Sequence, residues 1–324
     1  MKMDKKYNVY IASCASDGGI YHYEMDGGRL ELKEKTDCDS PMYLAESDGR
    51  MYTILKEPFG DSEHSGLTYF DINDDGSLGG SHETLSTKGV VACHLAVDGK
   101  NVYCVNYVSG SVIKMPDKLV VHLGHGPHPV RQTSPHTHFT ALSPDKKYIF
   151  VVDLGLDSIF VYDKDLNEVS RTCVSAGHGA RHLAYSEDGK YVFCANELAA
   201  TVSVFAYDDG RLELLDTAES LPKDFCKKNL MAAIRVCGDY VYASNRGQDA
   251  IVCYKFENGR LTLKNTVSCG GNSPRDFNMV GEYILCTNEN SDNVTVFKFD
   301  GDKIEKLPDE LHMAHPLCVI SSEK

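Results

Sequence analysis

Between His122 and Asp153 the chain reads HLGHGPHPVRQTSPHTHFTALSPDKKYIFVVD, which gathers five of its thirteen histidines with Arg131 in a turn-rich stretch. Two chemistries fit such residues. His122, His125 and His128 at three-residue spacing, followed by His136 and His138, suggest a zinc or copper site. Pro127, Pro129 and Pro135 interrupt any helix that would align them, however, and no cysteine or carboxylate accompanies them. The alternative is acid–base chemistry, since an imidazole titrates near pH ~6.5 and an arginine can hold an anion beside it. We therefore read the segment as carrying no metal and the protein as needing no cofactor.

These side chains must be held by strands. Short runs of Val, Ile, Tyr and Phe alternate with small or polar residues and are broken by DG, NG, GG and DD turns, so the chain is expected to be all-β. One unit recurs from Tyr43, His94, Phe139, His182, Ala233 and Asp276, with spacings of 51, 45, 43, 51 and 43 residues. That period predicts a propeller with one four-stranded antiparallel sheet per repeat. The N-terminal segments NVYIAS, GGIYHYEM and RLELKEKT lack an innermost strand, and the C-terminal HPLCVISS supplies one. Joined, they make a seventh blade, and residues 1–324 form a single seven-bladed domain closed by both termini.

In a propeller the start of strand one and the end of strand two lie on the same face near the axis. At the first position the repeats carry Met42, Cys93, His138, Arg181, Ala232, Arg275 and Pro316. Just past strand two they carry Tyr107, Leu154, Glu197, Arg246 and Glu289. Charged groups around one axis are expensive to desolvate unless they pair or meet a ligand, so we read a functional site here. His138 is singled out by its register, and His136 points to the same side of an extended chain two residues earlier. Asn106, Asp153, Asn196, Asn245 and Asn288 share a strand-end position where a short polar side chain bonds the following turn, a structural role.

Composition narrows the partners. A net charge of -14 argues against nucleic acid, whose binding needs a basic face. No apolar run of membrane-spanning length and no separate secretory core are evident, so we expect a cytoplasmic protein with no membrane partner. The twelve cysteines form no CxxC pair, and Cys104, Cys194 and Cys286 fall inside predicted strands as small hydrophobes. A monomer or weak dimer is the expectation.

The stretches RQTSPHTH (131–138), ARHLAYSEDGKYVFCANEL (180–198), SNRGQDAI (244–251) and SPRDFNMVGEYILCTNENSDNVTVF (273–297) resemble the lactonase family of seven-bladed propellers. That family includes a bacterial 6-phosphogluconolactonase and a fungal carboxymuconate cyclase, and the similarity runs over nearly the whole chain. The resemblance implies a metal-independent site of a histidine, arginines and a glutamate, falling here on His138, Arg181, Glu197 and either Arg246 or Arg275. It implies hydrolysis of a small anionic sugar lactone such as 6-phospho-D-glucono-1,5-lactone, in the pentose phosphate pathway. On that expectation His138 deprotonates water, Arg181 stabilises the oxyanion, and Glu197 orients the histidine or a sugar hydroxyl. Arg246, Arg275, His136, Arg131 and Glu289 bind the substrate. A cyclase gripping a dicarboxylate, or a protein-binding ring without activity, are the alternatives; the charge near the axis and the absence of tryptophan favour a small-molecule site.

Overall fold

The computed structural model describes residues 5–324, and these form seven antiparallel sheets arranged as a ring, a seven-bladed β-propeller. The first blade comprises Pro41–Ser47, Arg50–Pro58, Ser65–Ile72 and Leu78–Ser81, with the short Leu85–Ser86 also pairing onto Ser65–Ile72. Five blades follow in chain order, each running from its innermost strand outward. The seventh pairs the C-terminal Pro316–Glu323 with Tyr7–Ser13, Gly19–Asp26 and Arg29–Thr36, so the ends of the chain close the ring as expected.

The burial pattern explains why the middle strands read as continuous apolar runs. Ile149–Asp153 and Ser158–Tyr162 are buried at every residue because each blade is sandwiched between two others. Phe139, Phe150, Val152 and Val161 of the third blade, for example, pack with Leu183, Val192, Cys194 and Phe205 of the fourth. Cys104, Cys194 and Cys286 are fully buried in such seams, and all twelve cysteines are free thiols. Outermost strands such as Arg260–Ser268 face solvent and alternate buried with exposed only near their starts.

Two recurring backbone devices shape the axial face. The first is a β-bulge in every innermost strand. Pairing skips from Thr137 to Phe139, from Ala180 to His182 and from Pro274 to Asp276, which leaves His138, Arg181 and Arg275 unpaired. The same skip frees Met42 and Cys93, and in the fifth blade Ala232 and Ala233 together. In the seventh blade the freed residue is Leu317, not Pro316, one position later than the repeat alone suggests. A bulge bends the strand and re-aims the extra side chain; in the third, fourth and sixth blades the freed residue is a His or Arg that borders the axial cavities.

The second device is a left-handed residue just before the innermost strand. Val91, Gly179 and Ser273 have φ of 57°, 68° and 61°, and their carbonyls accept the N–H of Tyr107, Glu197 and Glu289. At Gly179 a Cβ would also approach Leu198 to 2.5 Å, so only glycine fits without movement. Ser40 and His315 repeat the device, accepting from Lys56 and Cys14. Lys56 and Cys14 are therefore the first- and seventh-blade counterparts of Glu197, two positions that the repeat comparison did not reach.

The strand-end asparagines are fully buried and structural, but their partners differ from expectation. Asn196 Nδ2 donates to the hydroxyls of Thr201 and Ser203, and Asn288 Nδ2 to that of Thr295, tying strand two to strand three. Asn106 Nδ2 reaches back to the Thr87 carbonyl. Asp153 accepts from the Leu156 N–H of the following turn, and Asn245 Nδ2 donates to the Gln248 side chain of its own following turn.

Candidate active site

The bulged residues and the residues after strand two converge on a pocket of about 600 Å³ at one mouth of the axis. Its lining includes His138, Glu197, Arg246, Arg275, Glu289 and Arg131, with Lys56 and Tyr107 beside them. Arg181 lies one layer deeper, 2% exposed, in the wall of a smaller cavity beneath.

Glu197 is the hub. Its Oε2 accepts from Arg181 Nε at 3.0 Å and lies 3.0 Å from Arg246 Nη2, while Oε1 accepts from Arg131 Nη2 at 2.6 Å. Burial alone would push this carboxyl up, but Arg246, Arg181 and Arg131 outweigh it and hold it well below the usual carboxylate range. Glu197 is thus a permanent anion that gathers three guanidinium groups. Burial, with Arg246 and Arg275 nearby, brings Arg181 down to about 9, still protonated at neutral pH.

Arg131 arrives by a different route from the other arginines. In the third blade Leu154, which follows strand two, is fully buried and withdrawn from the pocket. The long loop 122–136 fills that place and carries Arg131 across to Glu197. Gln132, also fully buried, pins the loop: its Nε2 donates to the Leu154 carbonyl and to Asp157 Oδ1, and its Oε1 accepts from the His128 N–H. Sequence comparison missed Gln132 because its role depends on contacts with the next blade rather than on the repeat.

The remaining histidines of that loop have separate occupations. His122 is buried rather than at the rim, with Nδ1–H donating to Asp153 Oδ2 at 2.6 Å and the ring stacked on Phe160. His128 Nδ1 accepts from the Val130 and Arg131 amides, and His125 is exposed. Among the described residues no three His, Cys, Asp or Glu side chains form a metal-binding group. His136 does not line the pocket: it stacks on Tyr107 with ring centroids 4.5 Å apart and donates from Nδ1 to the Tyr107 carbonyl. Its separation from His138 follows from the bulge, which breaks the two-residue alternation. His136 therefore supports Tyr107, whose hydroxyl accepts from Arg131.

His138 lies deep, with Nε2 3.9 Å from Glu197 Oε2. Burial, Arg181 and Arg275 lower its pKa well below 6.5, with Glu197 opposing. The expectation of a free imidazole titrating near operating pH is corrected: His138 is unprotonated throughout the neutral range and a weaker base than an exposed histidine.

The cations are not equally occupied. Arg246 donates to the Leu230 and Met231 carbonyls besides its ion pair with Glu197. Among the described residues Arg275 has only a long contact, Nη1 to Glu289 Oε2 at 3.5 Å, and Lys56 only the exposed Glu57 at 3.6 Å. Four cationic side chains, Lys56, Arg131, Arg246 and Arg275, line the pocket against two carboxylates, Glu197 and Glu289, and Arg181 adds a fifth from below. These side chains make a local positive field inside a chain of net charge -14.

Comparison with known proteins agrees with this architecture. The profile of the family described as "Lactonase, 7-bladed beta-propeller" matches residues 8–321, and the chain belongs to that family. An uncharacterised protein of Staphylococcus aureus is 32% identical over 298 residues, covering 84% of this chain and 86% of its own. A solved structure from Bacteroides uniformis, named as a candidate 6-phosphogluconolactonase, superposes with a TM-score of 0.90 at 26% identity, covering 98% of this chain and 100% of the other. The periplasmic gluconolactonase of Pseudomonas aeruginosa superposes with a TM-score of 0.87 at 25% identity, covering 98% and 99%.

Proposed function

We propose that this protein hydrolyses a phosphorylated sugar lactone, with 6-phospho-D-glucono-1,5-lactone as the substrate and 6-phosphogluconate as the product. The observation that carries this reading is the cationic pocket in an acidic chain, built around an ionised, arginine-clamped glutamate beside an unprotonated histidine. The gap of 3.9 Å between His138 Nε2 and Glu197 Oε2 is too long for a direct hydrogen bond and suits a water that contacts both.

In this mechanism the water gives a proton to His138 Nε2 as its oxygen attacks the lactone carbonyl carbon. Glu197, too weak a base to take the proton, orients the water through its other hydrogen. The tetrahedral oxyanion that forms is stabilised by Arg246, which lines the pocket, and by the charge of Arg181 in the layer beneath. Collapse breaks the bond from the carbonyl carbon to the ring oxygen, and His138 returns its proton to the departing alkoxide. Binding of the anion also assists the base: negative charge placed near Arg275 and Arg181 offsets the two guanidinium groups that depress His138. The phosphate sits on Arg275 and Lys56, the two lining cations with the loosest pairing.

The test is hydrolysis by purified protein above the spontaneous rate, with 6-phosphogluconolactone, gluconolactone and muconolactone assayed in parallel, with and without a chelator. Preference for the phosphorylated lactone, unaffected by chelator, supports the reading. Preference for gluconolactone moves the assignment to an unphosphorylated sugar, preference for muconolactone to a cyclase-type reaction, and chelator sensitivity to a metal.

A further inference from the structure

Beneath the pocket, on the axis, is a second cavity of only about 10 Å³, walled by Tyr43, His138, Arg181, His182, Arg275 and Asp276 among others. That is room for one water molecule. Three of these walls carry a buried nitrogen with no hydrogen-bonding partner among the described residues: His138 Nδ1, Arg181 Nη1 and His182 Nδ1. All three residues are at most 6% exposed. Leaving a buried polar atom unpaired is costly, so three around one small void point to an occupant that satisfies them.

The chemistry of the walls selects the occupant. Arg181 can only donate, so a cation is refused. An anion would face the Asp276 carboxylate, which already accepts from Arg235 Nη2 at 2.8 Å. A water can accept from Arg181 and donate to both His182 Nδ1 and Asp276. Asp276 already accepts from Arg235 and from the Val319 N–H and can take one more hydrogen; with the water's two hydrogens on His182 Nδ1 and Asp276, a lone pair faces His138 and pairs with a proton on Nδ1.

We propose that a single buried water, held by Arg181, His182 and Asp276, fixes His138 as the Nδ1–H tautomer and so leaves the Nε2 lone pair facing the pocket. His182 is then a positioning residue, acting on the reaction only through this water. The catalytic consequence rests on the lactonase reading above; the water and the tautomer do not.

Three measurements test this. A high-resolution crystal structure of the substrate-free protein should show one spherical density peak within hydrogen-bonding distance of Arg181 Nη1, His182 Nδ1 and His138 Nδ1. Nitrogen-15 spectra of the same protein should show His138 protonated at Nδ1 and bare at Nε2. Replacing His182 by Phe, which keeps a ring but no acceptor, should lower kcat by roughly 10- to 100-fold with little change in KM, the scale of losing an orienting partner. His182→Asn, which keeps an acceptor near the Nδ1 position, should recover most of that loss and restore the tautomer signal. An empty cavity, an anion in its place, a proton on His138 Nε2, or equal kcat for the Phe and Asn variants would each overturn the proposal. If no lactone is turned over at all, the function reading falls, while the density and the tautomer still decide for or against the water.

Discussion

His138 and Glu197 face each other across 3.9 Å, one from a bulge in the third blade and the other from the end of a strand in the fourth. Each sets the other's role. The carboxylate is held ionised by three arginines and has little basicity, whereas the imidazole is kept unprotonated by burial and by Arg181. His138→Ala should therefore lower kcat by roughly 10²- to 10⁴-fold, while circular dichroism remains that of the intact propeller. A kcat within a few fold of the parent would assign the proton transfer to another group.

Glu197 carries a structural load as well. Removing it leaves Arg131, Arg181 and Arg246 close together and without their shared counter-charge, and breaking a buried ion pair from one side costs about 3–5 kcal/mol. Glu197→Gln should show a clear drop in urea midpoint together with lost activity. Unchanged stability would mean that the arginines find other partners when the carboxylate is gone.

Anion recognition can be separated from chemistry at Lys56 and Arg275. Lys56→Ala and Arg275→Lys should each raise KM for the phosphorylated lactone with little effect on kcat, because a lysine cannot copy bidentate guanidinium contacts and an alanine offers none. Neither change should alter KM for unphosphorylated gluconolactone. An equal rise for both substrates would place the phosphate elsewhere.

Stability should depend on pH in a window set by the axial histidines. Burial lowers His94, His138 and His182 well below 6.5, with Arg181 adding to the effect on each. Below pH 6.5 the unfolded chain therefore binds more protons than the folded one, and stability falls as pH falls. Each histidine contributes up to about 1.4 kcal/mol per pH unit, or about 4 kcal/mol per unit for the three. Glu197 adds a further loss only below 4.5, since its folded pKa is depressed from that value. Urea titrations one unit above and one unit below pH 6.5 measure the slope; equal midpoints would show that these histidines are solvated in the folded state.

Much of this protein is legible in the sequence because a propeller is periodic. Strand alternation, turn residues and a repeat near 45 residues depend on neighbours in the chain, and they led to the seven blades, the closure by both termini, and His138, Arg181, Glu197, Arg246 and Arg275 as residues at equivalent positions. Tertiary structure alone decided what those residues experience. The bulges, which depend on how two strands pair, shifted the seventh position to Leu317 and turned His136 away to support Tyr107. Lys56 entered the site through a left-handed turn in a blade whose repeat is less regular. Gln132 and Arg131 owe their places to a loop folded onto the next blade. The low basicity of His138 and the fixed charge of Glu197 come from burial and from arginines brought together by ring closure, and no local stretch of sequence encodes a desolvation energy.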